Sequence, residues 1–225
     1  MRSDDYVSYS LMGIIYKELK DYKTAIDNLT KSLKIFQNYV PTLLERAFCY
    51  FSNNNFEDSI KDCKLIMEVC PTYWRIYTLL ADNYNALNDY KNAIKYYSEH
   101  LEIKPDDIEV RFVRGTLYFG NNEPYLAIED FNKCVELKPD DANYYKCRGI
   151  CYKLVSEFEK AYKDLSSAIE LGIEDCMVYH DRGMINIENE NFTEAFLDFQ
   201  KAKELGDKDA DNFIEYICEV LGKKE

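Results

Sequence analysis

The sequence predicts an all-α solenoid of antiparallel helix pairs, followed by one capping helix at its C-terminal end. Three observations carry that prediction. Tyr recurs at 16, 50, 84, 118 and 152, a spacing of 34, with Asn186 in the sixth place. With Tyr6 as position 1 of a 34-residue frame, six units run without insertion to Asp209. Positions 8 and 20 of that frame are small in every unit, which lets two successive amphipathic segments approach closely while aromatic side chains fill the space beside them.

Residues 1–5 lead into unit one (6–39), whose small residues are Gly13 and Ala25, with Tyr22 at position 17. Unit two (40–73) carries Ala47, Ser59 and Phe56, and Asn53-Asn54-Asn55 separates its two segments. Unit three (74–107) has Ala81, Ala93 and Tyr90 and closes on Pro105-Asp106-Asp107. Unit four (108–141) has Gly115 and Ala127, a turn at Asn121-Asn122-Glu123, and Pro124 where other units place an aromatic. Units five (142–175) and six (176–209) keep Gly149 with Ala161 and Gly183 with Ala195, but end in Leu171-Gly172 and Leu205-Gly206 rather than in Pro. Turn residues and Pro at these places are stop signals for helices. From Ala210 to Leu221 the pattern continues as a cap (210–225 with its polar tail): Phe213, Tyr216, Ile217 and Val220 are expected to pack, and Asp211, Glu215 and Glu219 to face outward.

These columns resemble the tetratricopeptide repeat, a 34-residue helix–turn–helix unit that cannot bury its apolar face alone. The resemblance covers 204 of 225 residues. It implies a right-handed superhelix with a concave groove that binds extended peptides, hence a scaffold or adaptor for protein partners.

Composition narrows the function. A net charge of −13 argues against nucleic acid, whose phosphates need clustered Lys and Arg. No apolar run reaches the ~18 residues of a membrane span. Eight Cys without a C-x-x-C pair read as reduced thiols, which points to the cytoplasm.

A charge rule runs through the frame. Position 7 holds Arg46, Arg114, Arg148 and Arg182, and position 23 of the same units holds Asp62, Asp130, Asp164 and Asp198. Where position 7 is Met12 or Leu80, position 23 is Asn28 or Tyr96. We expect an Arg–Asp bridge between the helices of one unit or of adjoining units.

At 100° per residue, positions 2, 5, 9, 12 and 13 form a stripe about 120° from the internal one. By the resemblance this stripe lines the groove. Its candidate contacts are Ile14, Phe48, Phe51, Asp82 and Phe112 in the first four units, with Phe119, Lys146, Ile150, His180 and Met184 further on. Phe48, Phe51, Phe112 and Phe119 make the aromatic patch expected to bind, with packing between first helices as the alternative. The charges on the stripe are four of each sign, so a nearly neutral groove is expected. A basic clamp for chaperone C-termini needs Lys and Asn at positions 5 and 9, and no unit matches.

Chemistry finds few residues. Two His are a poor supply for acid–base or metal work: His100 reads as a packed side chain and His180 falls on the groove stripe. Cys147 and Cys151 lie one turn apart, but no second pair completes a tetrahedral set. No enzyme motif, cofactor or metal is implied. The first helix carries Leu11, Met12, Ile14 and Ile15 around its circumference with no capping segment before Tyr6. Either the chain continues a longer protein, or another subunit covers that helix. The alternative function is therefore a regulatory or oligomerisation module of a larger enzyme or assembly.

Overall fold

The computed structural model describes residues 5–222, which form thirteen α-helices and no strand. The chain divides into two packed units between Val110 and Arg111, a point that falls inside one helix. The first unit holds α1 (Asp5–Glu18), α2 (Tyr22–Ile35), α3 (Val40–Ser52), α4 (Phe56–Val69), α5 (Trp74–Ala86), α6 (Tyr90–Ile103) and the start of α7 (Ile108–Gly120). The second holds the rest of α7, α8 (Pro124–Leu137), α9 (Ala142–Leu154), α10 (Phe158–Glu170), α11 (Cys176–Glu188), α12 (Phe192–Glu204) and α13 (Ala210–Gly222). From α1 to α6 and from α8 to α13, each helix packs against the next.

The turn inside each pair follows one recipe. Position 15 is left-handed in all six: Lys20, Asn54, Asn88, Asn122, Ser156 and Glu190 have φ between 58° and 61°. The next amide reaches back to the carbonyl of the Tyr column, as in Asp89 N to Tyr84 O at 2.8 Å and Asn191 N to Asn186 O at 2.8 Å. That bond satisfies a carbonyl that the helix end leaves orphaned. In the first three pairs position 16 also caps the second helix with its side chain: Asp21 accepts from the Thr24 amide at 3.1 Å, Asn55 from the Asp58 amide at 3.4 Å and Asp89 from the Asn92 amide at 3.2 Å. Glu123, Glu157 and Asn191 make no such bond.

The second helices end in two ways. α2, α4, α6 and α8 end at Phe36, Cys70, Lys104 and Lys138, where φ lies between −128° and −144° and the chain leaves the helix without a left-handed residue. α10 and α12 instead turn left-handed at Gly172 (φ 89°) and Gly206 (φ 99°), with Ile173 N bonding Ala168 O and Asp207 N bonding Ala202 O. The Leu-Gly departures of the last two units are thus a different helix cap.

The small column at position 8 answers to position 24. A Cβ on Gly13 would sit 2.4 Å from Leu29 Cγ, one on Gly115 2.7 Å from Phe131 Cε1, and one on Gly183 2.9 Å from Phe199 Cε2. Ala25, Ala93, Ala127, Ala161 and Ala195 are fully buried on the facing helices. In α13, Ala210 and Ile217 are buried, and the Phe213 ring stacks on Phe199 at 4.7 Å. Tyr216, expected to pack, is 49% exposed; Ile214 packs in its place, because the buried stripe runs through 210, 213, 214 and 217.

Candidate functional site

In the four units that carry them, the structure places the two charged columns within hydrogen-bonding reach inside one pair of helices. Arg46 Nε and Nη2 donate to the two oxygens of Asp62 at 2.7 Å each. Arg114 grips Asp130 at 2.8 and 2.6 Å, and Arg148 grips Asp164 at 2.7 and 2.8 Å. Arg182 Nη2 reaches Asp198 at 2.6 Å, and Asn186 Nδ2 donates to the same carboxylate at 3.0 Å. Burial disfavours the charge on these guanidiniums, yet the bonds to Asp outweigh it and hold each Arg above its ordinary pKa.

A third partner comes from the preceding pair of helices. Nη1 of Arg46 donates to Thr30 at 3.0 Å, that of Arg148 to Asn132 at 2.9 Å, and that of Arg182 to Ser166 at 3.2 Å. Those acceptors all occupy position 25. Sequence reasoning missed them, although a signal exists: Lys64 stands at position 25 just before the unit where Leu80 replaces Arg. The Tyr column completes the arrangement, with Arg46 over Tyr50 at 5.7 Å and Arg114 over Tyr118 at 5.6 Å. Each of these arginines thus has a buried carboxylate partner inside its own pair of helices.

The first unit contains an open cavity of about 580 Å³, built by first helices α1, α3 and α5 together with the start of α7. Its floor is apolar: Leu44, Phe48, Phe51, Trp74, Leu79 and Val110. Its charges are Lys17 and Arg75 against Glu45, Asp82, Asp107 and Glu109. Two positive and four negative groups leave this cavity a formal −2, whereas the near-neutral expectation is a count over the stripe of all six units. The stripe count missed Glu45, at position 6, and Asp107, in the loop before α7.

Several of these charges are already engaged. Lys17 bonds Glu45 at 2.8 Å, and Asp107 bonds His100 Nε2 at 2.9 Å while accepting from the Val110 amide. Asp82 Oδ1 accepts from the Tyr97 hydroxyl at 2.5 Å. Burial raises the Asp82 carboxyl above its ordinary pKa, against the pull of that hydrogen bond. Phe48 presents its ring to the cavity with 44% of its surface exposed, and Phe51 packs beside Phe56 at 5.7 Å. Ile14, on α1, is half-buried and does not line the cavity.

The candidates of the second unit are occupied by contacts of their own. Phe112 lies 5.7 Å from Phe131 and 5.2 Å from Tyr144, so its ring packs between helices. Lys146 donates to Asp175 at 3.2 Å. His180 lies edge-on to Phe199 and Phe213, with Nδ1 2.6 Å from Asp207 Oδ2. Met184 packs against the cluster around Phe199. Phe119 and Ile150 border a recess of only about 40 Å³. Phe119 itself is 39% exposed.

His100 is fully buried, with Nδ1 2.8 Å from the Thr78 hydroxyl. The eight cysteines are free, and burial pushes the thiols of Cys49, Cys63 and Cys151 up to about 12. Such thiols are poor nucleophiles at neutral pH. Among the described residues, no three His, Cys, Asp or Glu side chains are grouped to hold a metal ion, and no helix is long and apolar enough to cross a membrane.

The tetratricopeptide repeat family pattern matches residues 6–39, 75–107 and 108–141, in register with the 34-residue frame. No curated protein matches the sequence. Among solved structures the chain is similar to MamA, with a TM-score of 0.71 at 22% identity, covering 76% of this chain and 93% of that one. It is also similar to YrrB, described as a TPR protein with an unusual peptide-binding site, with a TM-score of 0.70 at 18% identity, covering 79% and 92%. A tetratricopeptide repeat protein from Parabacteroides merdae gives a TM-score of 0.60 at 19% identity, covering 96% and 85%. The chain thus carries tetratricopeptide repeats at residues 6–39, 75–107 and 108–141, and its tandem helices share the fold of the solved tetratricopeptide repeat structures.

Proposed function

We propose that the protein is an interaction scaffold whose six units, divided as the 34-residue frame divides them, hold a peptide segment of a protein partner. The cavity on α1, α3, α5 and the start of α7 is the seat of that segment. One observation carries this reading: about 580 Å³ of open space has an aromatic and aliphatic floor with charged groups at its margins. Sites for small ligands and peptide anchors share that pattern of apolar walls with a few polar groups. Binding is by a largely preformed surface, with no bond made or broken. Reduced buried thiols suit a cytoplasmic setting. Selection of a random peptide library on the full chain tests the proposal. Selected peptides should lose binding to the Phe48→Ser/Phe51→Ser variant; equal binding to a folded variant would overturn it.

A second reading, an oligomerisation module, is favoured by α1. Leu11 and Ile15, one turn apart on α1, are 55% and 58% exposed, and Leu19 just past the helix end is 70% exposed. Exposed apolar area of that kind marks interaction surfaces. Light scattering of the full chain and of Leu11→Glu/Ile15→Glu decides this reading: a monomer in both rules it out.

A further inference from the structure

We infer that the segment seated in the first unit's cavity is basic: an extended stretch carrying Lys or Arg beside an apolar anchor. The inference rests on the peptide-scaffold reading above and names its ligand class. Four carboxylates line the cavity against two basic groups. The Lys17–Glu45 pair removes one charge of each sign and leaves the excess of carboxylates in place. Lys17 is taken by Glu45 at 2.8 Å and by Glu18 at 3.1 Å. Arg75, the other cation, lies over the Trp74 ring at 5.2 Å.

Two carboxylates then stand without a basic partner. Among the described residues, no Lys or Arg nitrogen lies within salt-bridge distance of Asp82 or of Glu109, and Glu109 is exposed at the margin. Asp82 is the more telling. Among the described residues its hydrogen bond comes from the neutral Tyr97 hydroxyl, with a weaker attraction to His100, and burial raises its pKa. A half-buried anion without a cation gains when one arrives, because the attraction is strong where water is scarce. The Phe48 and Trp74 rings already carry cations of the chain, Lys17 at 5.6 Å and Arg75 and Lys104 at 5.2 and 5.5 Å, so what they add is apolar surface for the methylene stem of Lys or Arg and for the anchor. An acidic segment would meet like charge on the same surface, which selects against it.

The chain as a whole carries −13, so any basic peptide is drawn weakly to it. The test must separate that background from the cavity. Three acetylated peptides without Trp serve as probes: GKLFRKLG, the same sequence with Gln in place of Lys and Arg, and the same with Glu. Trp74 is the single Trp of the chain and lines the cavity, so its emission reports binding there. The full-length protein should bind the basic peptide tightest and the acidic one weakest. Asp82→Asn/Glu109→Gln should weaken the basic peptide by roughly tenfold or more and leave the Gln peptide unchanged. Glu57→Gln/Glu68→Gln removes the same charge from α4, away from the cavity, and should change little. If the double variant is misfolded by circular dichroism, Glu109→Gln alone, at an exposed position, carries the comparison.

The outcomes separate two failures. If the acidic or Gln peptide binds as tightly as the basic one, and Phe48→Ser/Phe51→Ser abolishes binding, the scaffold reading stands and the basic ligand is wrong. A loss with Glu57→Gln/Glu68→Gln equal to that with Asp82→Asn/Glu109→Gln also overturns the basic-ligand inference. If no peptide perturbs Trp74, both the cavity and its ligand class are rejected.

Discussion

Arg148 holds Asp164 through two bonds of 2.7 and 2.8 Å while a third nitrogen reaches Asn132, so one side chain ties a helix pair to the pair before it. In a solenoid, stability comes from each unit and from its contacts with the next. This arginine serves both. Asp164 is buried and Arg148 nearly so, and a pair in that setting costs much more to break than an exposed one.

A double-mutant cycle tests the pair. Arg148→Met should lose roughly 2–4 kcal/mol in urea denaturation, since it strands a buried carboxylate. In the Asp164→Leu background the same change should lose far less. Additive losses would show that the two side chains do not act together.

The left-handed turns offer a second test. Ser156 sits at φ 61° with a Cβ, a conformation that costs an L-residue ~1–2 kcal/mol, while Gly adopts it freely. Ser156→Gly should therefore stabilise by up to ~1 kcal/mol after the extra chain entropy of Gly is set against it. Gly206→Ala, at φ 99°, should destabilise by a similar amount or more. Thermal melts of the two variants check the opposite signs.

Gly115 lies in the middle of α7, where Ala is worth ~1 kcal/mol more than Gly by helix propensity. The steric term opposes this gain, because the added methyl would meet Phe131 Cε1 at 2.7 Å. Overpacking of that order costs ~1–3 kcal/mol. Gly115→Ala should lower the melting temperature, and Phe131→Leu should make the Ala tolerable.

Much of the fold was legible because a repeat writes each contact several times. Gly13, Gly115 and Gly183 share a column since each faces a large residue sixteen positions later, and the eye needs no structure to see the column. The left-handed turn at position 15 was hidden: Lys20, Ser156 and Glu190 carry no Gly to announce it, and only the Asn residues hint at it. The cavity's charge was also hidden. Helical periodicity assigns faces by backbone angle, whereas Glu45 reaches the cavity from an adjoining face and Asp107 from a loop. The same limit applies to Phe112, which shares the stripe of Phe48 but packs on Phe131 and Tyr144 instead.

Asp82 supplies a pH test. Its folded pKa is raised by burial, so the native state binds a proton more tightly than the unfolded chain. Stability from this group is then highest at low pH and falls as pH rises from the ordinary carboxylate range through the raised value. Asp82→Asn keeps an acceptor for Tyr97 and escapes the loss. Relative to the natural protein, it should be close to neutral below the ordinary Asp range and more stable near pH 7. A variant equally stable at both ends would contradict the burial cause.

The location of binding is the centre of the account, and Trp74 supplies the most direct measurement. As the chain's single Trp, it gives one indole N–H signal in a two-dimensional nitrogen–proton spectrum. Titration with a peptide selected on the full chain should shift that signal together with the amides of Phe48 and Asp82. An unmoved indole signal, with shifts confined to residues 111–222, would contradict the account.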